Sequence, residues 1–144
     1  MVQEANDLKE TLARACRMLE MVGLLDYSGH ISARLPGTET FYIHPMDLAR
    51  SEVSPDDMIE VDLEGKIVKG EGKTPGELPI HVSVYQHRDD VDCDSYSFAL
   101  QGEPVPLSEE EIKWASTNTF RPSSITKSWS YYMEKAKKLG VFWD

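Results

Sequence analysis

Residues 73–91 read Lys-Thr-Pro-Gly-Glu-Leu-Pro-Ile-His-Val-Ser-Val-Tyr-Gln-His-Arg-Asp-Asp-Val, and no other stretch of this chain is as informative. From Glu77 to Gln86 the pattern is helical, and Pro79 fits because it falls in the first turn, where its missing N–H is not needed. Glu77 sits at the positive end of that helix, a place that favours an acid whatever its further role. His81 follows four residues later, on the Glu77 side, and is expected to face the core as a hydrogen-bonding histidine. His87, six residues beyond His81, points another way. Gly72-Lys73-Thr74 imitates the end of a phosphate loop, but the residue five before Gly72 is Ile67 rather than glycine, and no long apolar strand precedes it. After Val91 the chain runs Asp92-Cys93-Asp94-Ser95-Tyr96, and no histidine follows His87.

Upstream, Leu8, Leu12, Ala15, Leu19 and Val22 recur at helical spacing, with Asn6 or Asp7 as the expected N-cap and Gly23 as the stop. Two short strands follow, His30 to Leu35 and Thr40 to His44, joined by a Pro36-Gly37 turn. Met58 to Leu63 and Lys66 to Lys69 form a hairpin around Glu64-Gly65. Downstream, residues 92–107 mix Asp, Ser, Gly and Pro without periodicity and read as a loop. Ser108-Glu109-Glu110-Glu111 is a capping box opening a second helical region. Ser123 or Ser124 opens a third, with Trp129, Tyr132, Ala136 and Leu139 on one face and Gly140 as its end. Short strands need a helical cover, so the expected fold is a layered α+β or α/β domain with a gap in its sheet.

Composition bounds the function. At 144 residues the chain is one domain with a single real core. A net charge of −10 argues against nucleic acid and anionic membrane as partners. Lys135, Lys137 and Lys138 cluster, but at the end of a helix, where cations complement the dipole. No apolar run approaches the ~18 residues of a membrane span. Cys16 and Cys93 form no disulfide or zinc pattern, and the N-terminus shows no secretory signal, so the expected setting is cytoplasmic. His30, His44, His81 and His87 show neither His-x-His nor helical His-x3-His spacing, which speaks against a metal site of their own. The aromatics Trp114, Trp129, Tyr131, Tyr132, Phe142 and Trp143 are expected in the core or at a subunit interface.

Together with Ser28-Gly29-His30-Ile31-Ser32-Ala33-Arg34, the stretch at 73–91 resembles the class II aldolase/adducin family. The resemblance covers most of residues 8–91, and residues from about Ala99 onward look like the C-terminal tail of the same family. It implies an α/β fold with a layered sheet and helices, the sheet incomplete here. Residues 1–91 would be the N-terminal part, 92–107 a loop or deletion junction, and 108–144 the C-terminal helical part of the same domain.

Glu77 matches the family's acid/base carboxylate, and Gly29, His30, His44 and Gly76 match its substrate-contacting positions. Relatives use zinc or a similar divalent ion, held by a His-x-His pair on the next strand and a third histidine. Those segments have no counterpart here, so no metal ligand and no cofactor is expected in this chain. Where sugar-phosphate members carry a Ser-Ser pair before the glutamate, this chain has Pro75-Gly76. Where they carry a Thr-Pro-Thr-Gly turn, it has His44-Pro45-Met46-Asp47, whose carboxylate would repel phosphate.

The resemblance therefore implies kinship with metal-dependent aldehyde-lyases and epimerases of small hydroxy-carbonyl compounds, inactive as this chain stands. The alternatives are a non-catalytic assembly module like the adducin head, or a non-functional internally deleted product. A homo-oligomer is expected, because intact relatives are oligomeric and the apolar tail Val141-Phe142-Trp143 suits burial against a neighbour.

Overall fold

The computed structural model describes residues 2–25, 29–96 and 122–142. Helix α1 spans Val2–Met21, β1 His30–Arg34 and β2 Thr40–Ile43. A single 3-10 turn at Pro55–Asp57 leads into β3, Ile59–Asp62, and β4, Ile67–Lys69. Then come α2 at Leu78–His87, β5 at Cys93–Tyr96 and α3 at Pro122–Lys138. The strands form one sheet in the order β4-β3-β2-β1-β5, every pair antiparallel.

Alternation along the strands sorts side chains to the two faces of this sheet. Ile31, Ala33 and Tyr42 face α1 and close a core with Leu12, Ala13, Cys16, Val53 and Met58. Phe41, Ile43, Ile59 and Val61 pack with Leu78 and Tyr85 of α2, forming a second core. Each fully buried Leu, Ile or Phe contributes about 1.5–3 kcal/mol, so both helices are held chiefly by these contacts. The expected helix–sheet–helix layering is present.

Three details depart from the sequence expectations. Helix α1 starts at Val2 rather than at an Asn6 or Asp7 cap. Gln3, Glu4 and Ala5 are strong helix formers, and Gln3 Nε2 bonds Asp7 Oδ1 across one turn at 2.9 Å. The segment expected to be a loop from residue 92 instead supplies β5, with Ser32 opposite Asp94 and Ala33 opposite Cys93. The backbone of β1 has an edge to pair, and pairing needs no apolar alternation in the incoming strand. Helix α3 begins at Pro122, a residue pre-set for the first helical position.

Val141 and Phe142 fold back on their own chain. Arg17 Nη1 donates to the Val141 carbonyl at 2.6 Å, and the Arg14 guanidinium lies 4.7 Å from the Phe142 ring centre. The helix expected from Ser108 lies outside the described residues, as do Trp114 and Trp143.

One periodicity match positions the site. Alternate residues of a strand are about 6.6 Å apart and every fourth residue of a helix about 6 Å apart, so β1 and α2 can stay in step. They do. His30 meets Glu77, Ser32 meets His81 and Tyr85, and Arg34 reaches the Tyr85 and Arg88 carbonyls at 2.8 and 3.2 Å. The last contact satisfies carbonyls at the end of α2 with a cation, which also suits the helix dipole.

Candidate functional site

The site lies where the ends of β1 and β2 meet the start of α2. Its side chains are His30, His44, His81 and Glu77, with Ser32, Tyr85 and Asp94 behind them. The His30 and His44 rings stack at 5.6 Å between centres, and His81 stands edge-on to His30 at 6.2 Å. All three imidazoles are buried.

Burial and the nearby Arg50 guanidinium hold two of these rings neutral. His30 is lowered from 6.5 to about 4, first by desolvation, then by Arg50 and His81. His44 is lowered to about 3 by the same two leading causes, partly opposed by its bond to the Pro45 carbonyl. That bond, 3.1 Å from Nδ1, also fixes the tautomer, because a carbonyl can only accept. His44 Nε2 is therefore a bare lone pair, buried and without a hydrogen-bond partner among the described residues.

His81 behaves as the sequence suggested, a core histidine held by hydrogen bonds. Its Nδ1 lies 2.8 Å from Ser32 Oγ and 3.0 Å from Asp94 Oδ2, and Ser32 Oγ lies 2.8 Å from Tyr85 OH. A Ser, a His and an Asp in contact invite a hydrolase reading, but the geometry refuses it. In a nucleophilic triad the two ring nitrogens address the acid and the hydroxyl separately. Here both oxygens crowd the same nitrogen, and Ser32 is fully buried. The trio is a structural network.

Glu77 is different. It occupies the N-cap position of α2, yet its side chain makes no capping bond. Its Oε2 instead stands 3.8 Å from His30 Nδ1, and the side chain is 28% exposed. At 3.8 Å the two do not hydrogen-bond each other. A single oxygen about 2.8 Å from each could touch both. With His30 neutral, Nδ1–H can donate to that oxygen while the carboxylate accepts its proton.

The other matched positions divide. Gly29 is a close approach: a Cβ there would meet Leu25 Cδ2 at 2.6 Å. Gly76 has nothing within 4 Å of where a Cβ would sit, so space does not require glycine. Beside His44, a cleft of about 500 Å³ runs from Pro45 past Asp47, Asp56, Asp57 and Glu71 to Gly72. Four carboxylates make it a poor seat for phosphate.

The divalent ion that the resemblance implies is not fitted by the described residues, among which no three His, Cys, Asp or Glu side chains are placed to bind an ion. Sequence reasoning missed Ser32, Tyr85, Asp94 and Arg50 as parts of the site. The available signal was the alternation His30-x-Ser32-x-Arg34 opposite Glu77-x3-His81-x3-Tyr85, two periods that run in step.

Comparison with known proteins falls on the same stretch. The profile described as Class II Aldolase and Adducin N-terminal domain matches residues 10–102. An L-fuculose phosphate aldolase of Methanococcus maripaludis is 31% identical over 108 residues, which cover 74% of this chain and 57% of the relative. Among solved structures, an L-fuculose 1-phosphate aldolase from Glaciozyma antarctica superposes with a TM-score of 0.59 at 30% identity, over 65% of this chain and 41% of that one. An aldolase II superfamily protein from Pseudomonas syringae gives a TM-score of 0.64 at 24% identity, over 78% and 50%, a likeness of fold alone. The chain spans only 36% and 46% of two further relatives. No described helix is long and apolar enough to cross a membrane.

Proposed function

Because this chain belongs to the Class II Aldolase and Adducin N-terminal domain family, we propose that it carries the proton-transfer side of such a site and binds a small hydroxylated carbonyl compound. The observation that carries this reading is Glu77, which occupies a capping position, does not cap, and faces His30 across 3.8 Å. A substrate hydroxyl seated between them gives its proton to Glu77. His30 Nδ1–H then donates to the oxygen as negative charge develops. His44 stacks behind His30 and holds the ring in place.

Breaking a carbon–carbon bond needs more than this pair. The electrons leaving that bond must be received by an electrophile, and a carboxylate cannot receive them. No ligand set among the described residues offers one, so those residues account for binding and deprotonation but not for cleavage. A phosphorylated substrate is disfavoured by Asp47 and its acidic neighbours.

Titration with dihydroxyacetone, followed by NMR, tests the reading. Shifts at His30 and at residue 77 are expected in the wild type and not in Glu77→Gln. Binding that survives the substitution unchanged would refute the role given to Glu77.

A second reading, an assembly module without chemistry, draws on α3. Tyr131 on that helix and Leu139 just after it are each 62% exposed. Sedimentation over a hundredfold concentration range separates the two. A self-associating chain that ignores dihydroxyacetone supports assembly.

A further inference from the structure

We propose that Arg50 is a positioning residue of this site, its buried guanidinium fixing where β1 begins and so delivering His30 opposite Glu77. Arg50 is among the largest fully buried side chains of the molecule, at 2% exposure. A cation is not buried at that depth without consequence, since desolvation opposes it by several kcal/mol. Its Nε donates to the Gly29 carbonyl at 2.6 Å, and Nη1 donates to the Leu48 carbonyl. Gly29 immediately precedes His30, and it lies so near Leu25 that a Cβ added to it would meet Leu25 Cδ2 at 2.6 Å. Held from both sides, Gly29 has little freedom, and the direction in which β1 sets out is settled before His30.

The neighbouring segment is anchored independently. Arg17 of α1 donates to the Glu52 and Val53 carbonyls at 2.9 and 2.7 Å, so the loop that presents Arg50 is itself tied to the helix layer. The link runs α1, Arg17, residues 52–53, Arg50, Gly29, His30. The charge acts as well as the hydrogen bonds. Around His30 stand Arg50 from the loop, His44 after β2, Glu77 and His81 from α2, and Asp94 of β5 beyond His81. Of these, Arg50 is the one whose positive field bears on both His30 and His44 as the leading charge effect. It favours the neutral imidazole that can donate from Nδ1 to an oxygen shared with Glu77.

This role rests on reading His30 and Glu77 as the pair that faces substrate, and the experiment separates the two claims. Arg50→Met keeps an apolar stem of similar length, and Arg50→Lys keeps the charge without the planar fork. At neutral pH, the ring signals of His30 and the amides of Gly29 and His30 are expected to move in both variants. Signals of Phe41 and Val61, at the far end of the same sheet face, should stay in place.

Affinity for dihydroxyacetone should fall about tenfold or more in Arg50→Met, as expected for a misplaced contact group. Unmoved His30 signals in a folded Arg50→Met would overturn the proposal. If both variants fail to fold, the wild type decides. A slowly exchanging Arg50 Nε–H with a through-bond coupling to the Gly29 carbonyl supports the clamp, and a freely exchanging one refutes it. Should dihydroxyacetone not bind the wild type at all, the reading of Glu77 falls, while the ring and amide signals still judge Arg50.

Discussion

The two faces of the sheet were built from the same strands and came out chemically opposite. Toward α1, β1 offers Ile31 and Ala33, which join an apolar cluster with Leu12, Ala13 and Cys16. Toward α2, the same strand offers His30, Ser32 and Arg34, and the first two are as buried as their apolar neighbours. Burying polar groups is unfavourable unless each finds a partner. The α1 face is held by apolar packing. The α2 face divides its labour, with Phe41, Ile43, Ile59 and Val61 packing at the β2–β3 side and imidazoles gathered at the β1 side. Buried histidines with shifted titration beside a carboxylate are the kind of cluster in which functional sites are found.

Acid should break the comparison most forcefully. His30 and His44 bind protons in the unfolded chain near 6.5 but in the folded chain only near 4 and 3. Between those values the unfolded state holds more protons, so stability is full above about pH 6.5 and declines as the pH falls. Each histidine removes about 1.4 kcal/mol per pH unit in that window. By pH 4 the two together would remove about 6 kcal/mol, which reaches only the lower part of a typical margin of about 5–15 kcal/mol. Urea titrations between pH 7.5 and 4.5 should show this slope, and His44→Phe should halve it.

Packing comes next. Phe41→Ala removes a fully buried ring from the α2-side core and should lower the unfolding free energy by about 3–5 kcal/mol, read from urea midpoints. Leu12→Ala on the α1 side should do nearly the same, about 2–5 kcal/mol, because the faces differ in chemistry and not in packing.

Ser32→Ala sharpens the contrast. It deletes one oxygen, yet it removes the contacts of that oxygen with both His81 Nδ1 and Tyr85 OH, and should lower stability by about 1–3 kcal/mol. Ala33→Gly, on the opposite face of the same strand, has no hydrogen bond to lose. Smallest of all, truncation after Gly140 removes the Val141 carbonyl held by Arg17 and the Phe142 ring beneath Arg14. A loss of about 1–2 kcal/mol is expected, measured by thermal denaturation.

What the sequence disclosed follows the same division. Helices with a clean 3.6-residue stripe and hairpins with Gly turns were legible, because apolar periodicity and turn chemistry are local signals. Strand β5 was not, since Cys-Asp-Ser-Tyr carries no alternation and exists by pairing with β1. His30, His44 and Glu77 were legible as candidates through family resemblance. Arg50 was not, because nothing local distinguishes an arginine destined for burial from one bound for solvent. Asp94 was hidden for a similar reason: its approach to His81 is made across the β1–β5 register, 13 positions along the chain.

The central proposal is that Glu77 serves as a proton-transfer carboxylate beside His30 and that the described residues hold no metal ion. Elemental analysis of the purified protein after dialysis, normalised to chain concentration, tests it most directly. Zinc well below one equivalent per chain, with the fold unchanged by a chelator, is the result predicted here. About one tightly held zinc per chain, lost together with the native fold or with binding when a chelator is added, would contradict it.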